Sequence, residues 1–128
     1  MATETPVAEF AVRKSGATAE YFTDERCHIL ELSNSADDPG VSIARARVEV
    51  GVTTKQHRVN GTVERYVILE GQGVVQIAGH DEQQVGPGDV VVIPAGVGQS
   101  ISNAGDHDLV FLCICTPRFE WDNYESLE

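Results

Sequence analysis

Short runs rich in β-branched and aromatic residues, broken by turn formers, dominate the chain from Tyr21 onward. The runs cover residues 27–32, 41–50, 64–69, 74–78, 90–93, 99–102 and 109–115. Between them fall Asp37-Asp38-Pro39-Gly40, Asn60-Gly61, Gly71-Gln72-Gly73, Gly79-His80-Asp81, Gly86-Pro87-Gly88, Pro94-Ala95-Gly96 and Asn103-Ala104-Gly105-Asp106. Turn signals at intervals of roughly 8 to 12 residues predict a β-sandwich or β-barrel. After residue 25 no stretch repeats its apolar residues at the helical spacing, and no repeat array is present. The expectation is a single all-β domain.

Within the runs the faces differ. In 41–50, Ala44, Ala46, Val48 and Val50 alternate with Arg45, Arg47 and Glu49, so one face is apolar and the other charged. Residues 90–93 and 109–115 are apolar on both faces, which predicts a second subunit over the outer face and hence a homodimer. Residues 1–20 are small and polar and read as a loose arm, available to add a strand to a neighbour. Residues 21–116 form the barrel. Residues 117–128 form a tail whose Phe119, Trp121 and Tyr124 are expected to dock on the barrel or a partner, in a packing role and not a chemical one.

Charge narrows the partners. Nine Lys and Arg face twenty Asp and Glu over 128 residues, a formal net charge of −11. A field of that sign repels phosphate backbones and anionic lipid headgroups, so neither nucleic acid nor a membrane is expected as a partner. An apolar fraction of 41% is that of a folded globular chain. No apolar run approaches the roughly 18 to 20 residues that span a bilayer, and the opening MATETPVAEF lacks the features of a secretory signal. Cys27, Cys113 and Cys115 make an odd count, so a reducing, cytoplasmic setting is expected. Cys113 and Cys115 share a strand face with Cα atoms about 6.5 to 7 Å apart, a poor disulfide geometry, and read as buried and reduced.

Two glycine-framed segments carry a resemblance. The first runs Gly51, five residues, His57, one residue, Val59, four residues, Glu64, six residues, Gly71. The second runs Gly88, five residues, Pro94, one residue, Gly96, two residues, Gln99, three residues, Asn103, after a spacer of 16 residues. The pair resembles the two motifs of the small single-domain cupins, matching eight of their ten positions. The resemblance implies a jelly-roll β-barrel, or double-stranded β-helix. Metal-binding cupins surround one ion with three His and one Glu. Here His57 and Glu64 stand in two of those positions, whereas Val59 and Gln99 stand where the other two His would be. The ligand set implied is His57, Glu64 and Gln99 around a divalent ion (Mn, Fe, Ni or Zn). A metal-free, hydrogen-bonded trio is the other reading of the same residues.

Other residues take dual readings. Tyr66 shares strand parity with Glu64, so it faces either the pocket or water. Arg45 and Arg47 form either a solvated face with a cross-strand charge pair or a clamp for a carboxylate or phosphate. His28, His80 and His107 read as surface or structural histidines. The expected function is a metal-dependent enzyme acting on a small polar or carboxylate-bearing compound. Glu64 would serve as base and Tyr66 as proton donor or orienting group, with Arg45, Arg47 and Tyr66 binding substrate. With two imidazoles missing, lyase or isomerase chemistry is favoured over O₂ chemistry. The alternative is a metal-free module for an organic acid or sugar, recognised by Arg45 and Arg47; a third possibility is a scaffold acting through its surface.

Overall fold

The computed structural model describes residues 9–128; the first eight residues of the expected arm lie outside the described residues. Eleven strands follow one another: β1 (Tyr21–Phe22), β2 (His28–Ser33), β3 (Ser42–Val48), β4 (His57–Val59), β5 (Val63–Glu70), β6 (Gly73–Ile77), β7 (Gln83–Val85), β8 (Val90–Ile93), β9 (Gln99–Asn103), β10 (Leu109–Thr116) and β11 (Tyr124–Ser126). A single 3₁₀ turn, Trp121–Asn123, is the one helical element among the described residues. None of their helices is long and apolar enough to cross a membrane.

The strands form two antiparallel sheets, ordered β1-β2-β3-β10-β5-β8 and β11-β4-β9-β6-β7. This is the all-β barrel that the strand spacing predicts. Alternation decides what each sheet turns inward. On β5, Glu64, Tyr66 and Ile68 are buried while Arg65, Val67 and Leu69 face outward; on β10, Leu109, Phe111 and Cys115 are buried. With Val48, Ile93 and Ile101, which are fully buried, they build the core between the sheets.

The glycines at the turns have concrete tasks. Gly71 has φ +85°, and a Cβ there would lie 2.7 Å from the Asp108 carbonyl oxygen. Only glycine meets both demands, which fixes how the β5–β6 turn passes under the start of β10.

Two runs that read as apolar on both faces resolve differently. The outward positions of β10, Val110, Leu112 and Ile114, stand across from Arg47, Arg45 and Arg65 on the flanking strands, all partly buried. Long arginine stems lie beside apolar neighbours while their charged heads stay wet, so this face is covered within the chain. On β8, an edge strand, Val90 and Val92 remain exposed.

The tail packs on its own barrel. Tyr124–Ser126 pairs antiparallel with β4, Phe119 N–H donates to Ser42 Oγ at 2.8 Å, and Arg26 donates to both oxygens of Glu128.

Candidate functional site

Four of the residues singled out by spacing converge between the sheets. β4 and β9 place His57 directly across from Gln99. β5 on the opposite sheet supplies Glu64 and Tyr66, which stand beside Cys115 and Cys113 of β10. All four are buried. Their side chains meet because period-two alternation turns every second residue of each of these strands to the same interior. Together with Val59, Ser42, Ala44 and Ala46, three of them, His57, Glu64 and Tyr66, border an inner cavity of about 60 Å³, and Gln99 stands behind its wall.

Arg45 and Arg47 are not among them. Because Ala44 and Ala46 line the cavity, Arg45 and Arg47, which alternate with them, point from the opposite face of β3. Arg47 donates to Glu20 Oε1 at 2.7 Å and Asp108 Oδ2 at 3.1 Å, and Arg45 lies 3.6 Å from Glu20. The charge-pair reading describes where they sit, and the clamp reading does not. His80 and His107 are exposed, and His28 faces Glu20 and Glu49 on the outside, at 3.9 and 3.7 Å.

Hydrogen bonds fix the chemistry of the four. The Tyr66 hydroxyl donates to Gln99 Oε1. His57 Nδ1 donates to the Lys55 carbonyl at 2.8 Å, so Nε2 is the ring nitrogen that this bond leaves uncommitted. Tyr124 stacks on that imidazole with ring centroids 4.9 Å apart. Glu64 Oε1 is buried and has no hydrogen-bond partner. A buried, unpaired carboxylate oxygen is costly, and the fold tolerates it only where something else meets it or where it carries a proton.

Burial accordingly pushes the Glu64 carboxyl up to about 7, against the pull of the neighbouring His57 and with a further push from Glu25. Glu25, on the Thr23–Cys27 turn, is itself raised to about 7 by burial. Tyr66 is raised well above its ordinary value by burial and by Glu64. Burial also pushes the Cys27 and Cys115 thiols up to about 12, so both are inert, reduced walls of the cavity.

A divalent ion requires several donors aimed at one point. Of the implied set, Val59 offers no donor and Gln99 Oε1 accepts from Tyr66, which leaves His57 and Glu64 as the uncommitted donors. Among the described residues no three His, Cys, Asp or Glu side chains converge on one point. Gln99 ties β9 to β5 through Tyr66.

Sequence reasoning missed the rest of the cavity wall. Glu25 and Glu31 add two carboxylates, and Phe119 and Trp121 of the tail close the mouth. Glu25 is turned inward by a local device: Thr23 Oγ1 accepts from Glu25 N–H and donates to the Cys27 carbonyl, while Arg26 takes φ +71°. In sequence, Asp24-Glu25-Arg26 reads as a solvated turn, and nothing in it marks one acid as buried. The wall carries no Lys or Arg.

With this geometry in hand, similarity to known proteins is informative. A model of the cupin domain matches residues 44–115. The chain belongs to the cupin family. Among curated cupin relatives, the uncharacterized protein MJ1618 of Methanocaldococcus jannaschii is 34% identical over 110 residues, 84% of this chain and 87% of that protein. The oxalate-binding protein of Thermotoga maritima is 37% identical over 71 residues, 56% of this chain and 58% of its own. Among solved cupin folds, a predicted oxalate decarboxylase from Thermotoga maritima superposes with a TM-score of 0.73 at 25% identity, covering 84% of this chain and 99% of that one. The Streptomyces nucleoside dehydratase Pac13 superposes with a TM-score of 0.78 at 14% identity, covering 94% and 92%, a likeness of fold alone.

Proposed function

We propose that this cupin binds a small molecule without a resident metal ion and that Glu64 and His57 act on it as an acid–base pair, in lyase- or isomerase-type chemistry. The observation that carries the reading is the unpartnered Glu64 Oε1, buried on the wall of a cavity that His57 also lines. A carboxyl pushed to about 7 by burial sits near neutral pH, where it exchanges a proton with least cost in either direction. Tyr66 and Gln99 orient the pair and do not touch the ligand's reacting atoms.

The wall also sets the ligand class. With Glu25, Glu31 and Glu64 and no Lys or Arg lining it, the cavity repels a free dianion. It favours a neutral polyol, a sugar-like compound or a cation over the organic acid expected from the sequence. The second reading is favoured by the oxalate-binding relative: a dicarboxylate entering together with a divalent ion that reverses the local charge.

Thermal shift with and without EDTA separates the two. Neutral and cationic hydroxyl compounds are expected to raise Tm in EDTA, and Glu64→Gln and His57→Asn to remove the effect. Stabilisation by oxalate only when Mn, Fe, Ni or Zn is added, with no response to the neutral panel, would overturn the metal-free reading. As a further part of the proposal, exposed Val90 and Val92 on edge strand β8 support a homodimer through that edge, checked by sedimentation.

A further inference from the structure

The inner cavity is too small for a whole ligand. At about 60 Å³ it has space for roughly four to six waters, whereas small-molecule sites usually enclose roughly 300–1,000 Å³. Directly outside lies a recess of about 480 Å³, walled by the rings of Tyr21, Phe22, Trp121 and Tyr124 and by the carboxylates of Asp24 and Glu25. Tyr21, Glu25 and Trp121 border both spaces, so the two are adjacent and share a wall. Tyr124 joins them in a second way, since its ring stacks on His57 at 4.9 Å and meets Trp121 edge-on at 5.2 Å.

The recess has an unusual surface for a water-facing mouth. Phe22 is 60% exposed and Trp121 49% exposed, so aromatic surface is left open to solvent. No basic side chain lines the recess. Ring faces carry partial negative charge, and together with carboxylates they form the arrangement that receives alkylated ammonium groups, which are too greasy for water-filled acidic sites and too charged for apolar ones. Beyond the shared wall, the buried and unpartnered Glu64 Oε1 points to a ligand group that reaches it.

We infer that this recess is a second subsite, one that takes an alkylammonium group and lets the ligand's polar end reach toward Glu64 and His57 past the shared wall of Glu25 and Trp121. The inference deepens the proposed function and rests on it for the inner end of the ligand only. The net charge of −11 draws a cation toward the mouth from any side.

Trp121 is the chain's single tryptophan, so one indole N–H resonance reports on the recess. The full chain is titrated with tetramethylammonium, with choline, and with 3,3-dimethyl-1-butanol, the neutral carbon analogue of choline, at ionic strength held constant with sodium chloride. Saturable movement of the indole resonance is expected with both cations, with the neutral analogue at least about tenfold weaker. Glu25→Gln and Phe22→Ala are each expected to weaken tetramethylammonium binding by about fivefold or more. In the Glu64→Gln, His57→Asn double variant, tetramethylammonium binding is expected to persist and choline to lose any advantage over it. If choline binds equally well in wild type and double variant, the outer subsite stands and the acid–base reading of the inner pair fails. Equal binding of choline and its neutral analogue, or no movement of the resonance with either cation, overturns the inference, and the wild-type comparison decides this even where a variant does not fold.

Discussion

Replacing Glu64 with Gln is expected to make the protein more stable at alkaline pH and to leave it nearly unchanged in acid. The side chain is 8% exposed and its Oε1 has no partner, so the fold holds the carboxyl protonated far above its pKa in the unfolded chain. The rise is from 4.5 to about 7. A carboxyl raised in this way adds stability that is fully present below about 4.5 and is lost as pH climbs through about 7, because the unfolded chain gives up its proton first. That interval corresponds to about 3 kcal/mol. Gln has nearly the same shape and does not titrate. Glu25, also raised to about 7, is present in both proteins, so its contribution largely cancels in the difference.

Urea unfolding in EDTA at pH 4 and pH 8 measures this. The two proteins should lie within about 1 kcal/mol of each other at pH 4. At pH 8 Glu64→Gln should gain about 3 kcal/mol, a midpoint higher by about 1 to 2 M urea for a chain of this size. A gap of equal size at both pH values would refute the reasoning. So would a less stable variant at pH 8, which would mean that the carboxylate is satisfied in the folded state by a group such as a retained cation.

Tyr66→Phe removes the only donor to Gln99 Oε1 and should cost about 1–3 kcal/mol in urea unfolding; a neutral outcome would mean that Gln99 finds another partner. Gly71→Ala places a Cβ 2.7 Å from the Asp108 carbonyl at φ +85°. It should lower stability by about 2 kcal/mol or more, against about 1 kcal/mol for Gly61→Ala, which meets nothing nearby; melting curves compare the two. Arg45→Ala and Arg47→Ala should leave ligand titrations unchanged and cost less than about 1 kcal/mol each, since both side chains pair with Glu20 on the outer face. A loss of ligand binding in either would return the arginines to the recognition role.

Some of the site is legible in the residue string because strand geometry is local. Period-two alternation alone requires Glu64, Tyr66 and Ile68 to share a face, and the glycine and proline spacing brackets the strands that carry them. Short pieces were lost for the same reason. β1, β4, β7 and β11 are two or three residues long, too short to show a period, yet β4 carries His57 and β11 lays Tyr124 on it.

Alternation says which residues face together, and it leaves open which face is inside. For β3 that choice placed Ala44 and Ala46 in the cavity and Arg45 and Arg47 outside it, a decision made by the charges of Glu20 and Asp108 waiting on the outer surface. The sequence by itself determined an all-β barrel, the strands that bear Glu64, Tyr66 and Gln99, and the absence of two imidazoles. Only the tertiary structure decided that Gln99 serves Tyr66, that Glu25 turns inward, and that the tail's rings close the mouth. Those outcomes depend on groups up to about a hundred positions apart in the chain, and through-space burial and pairing leave no trace in local periodicity.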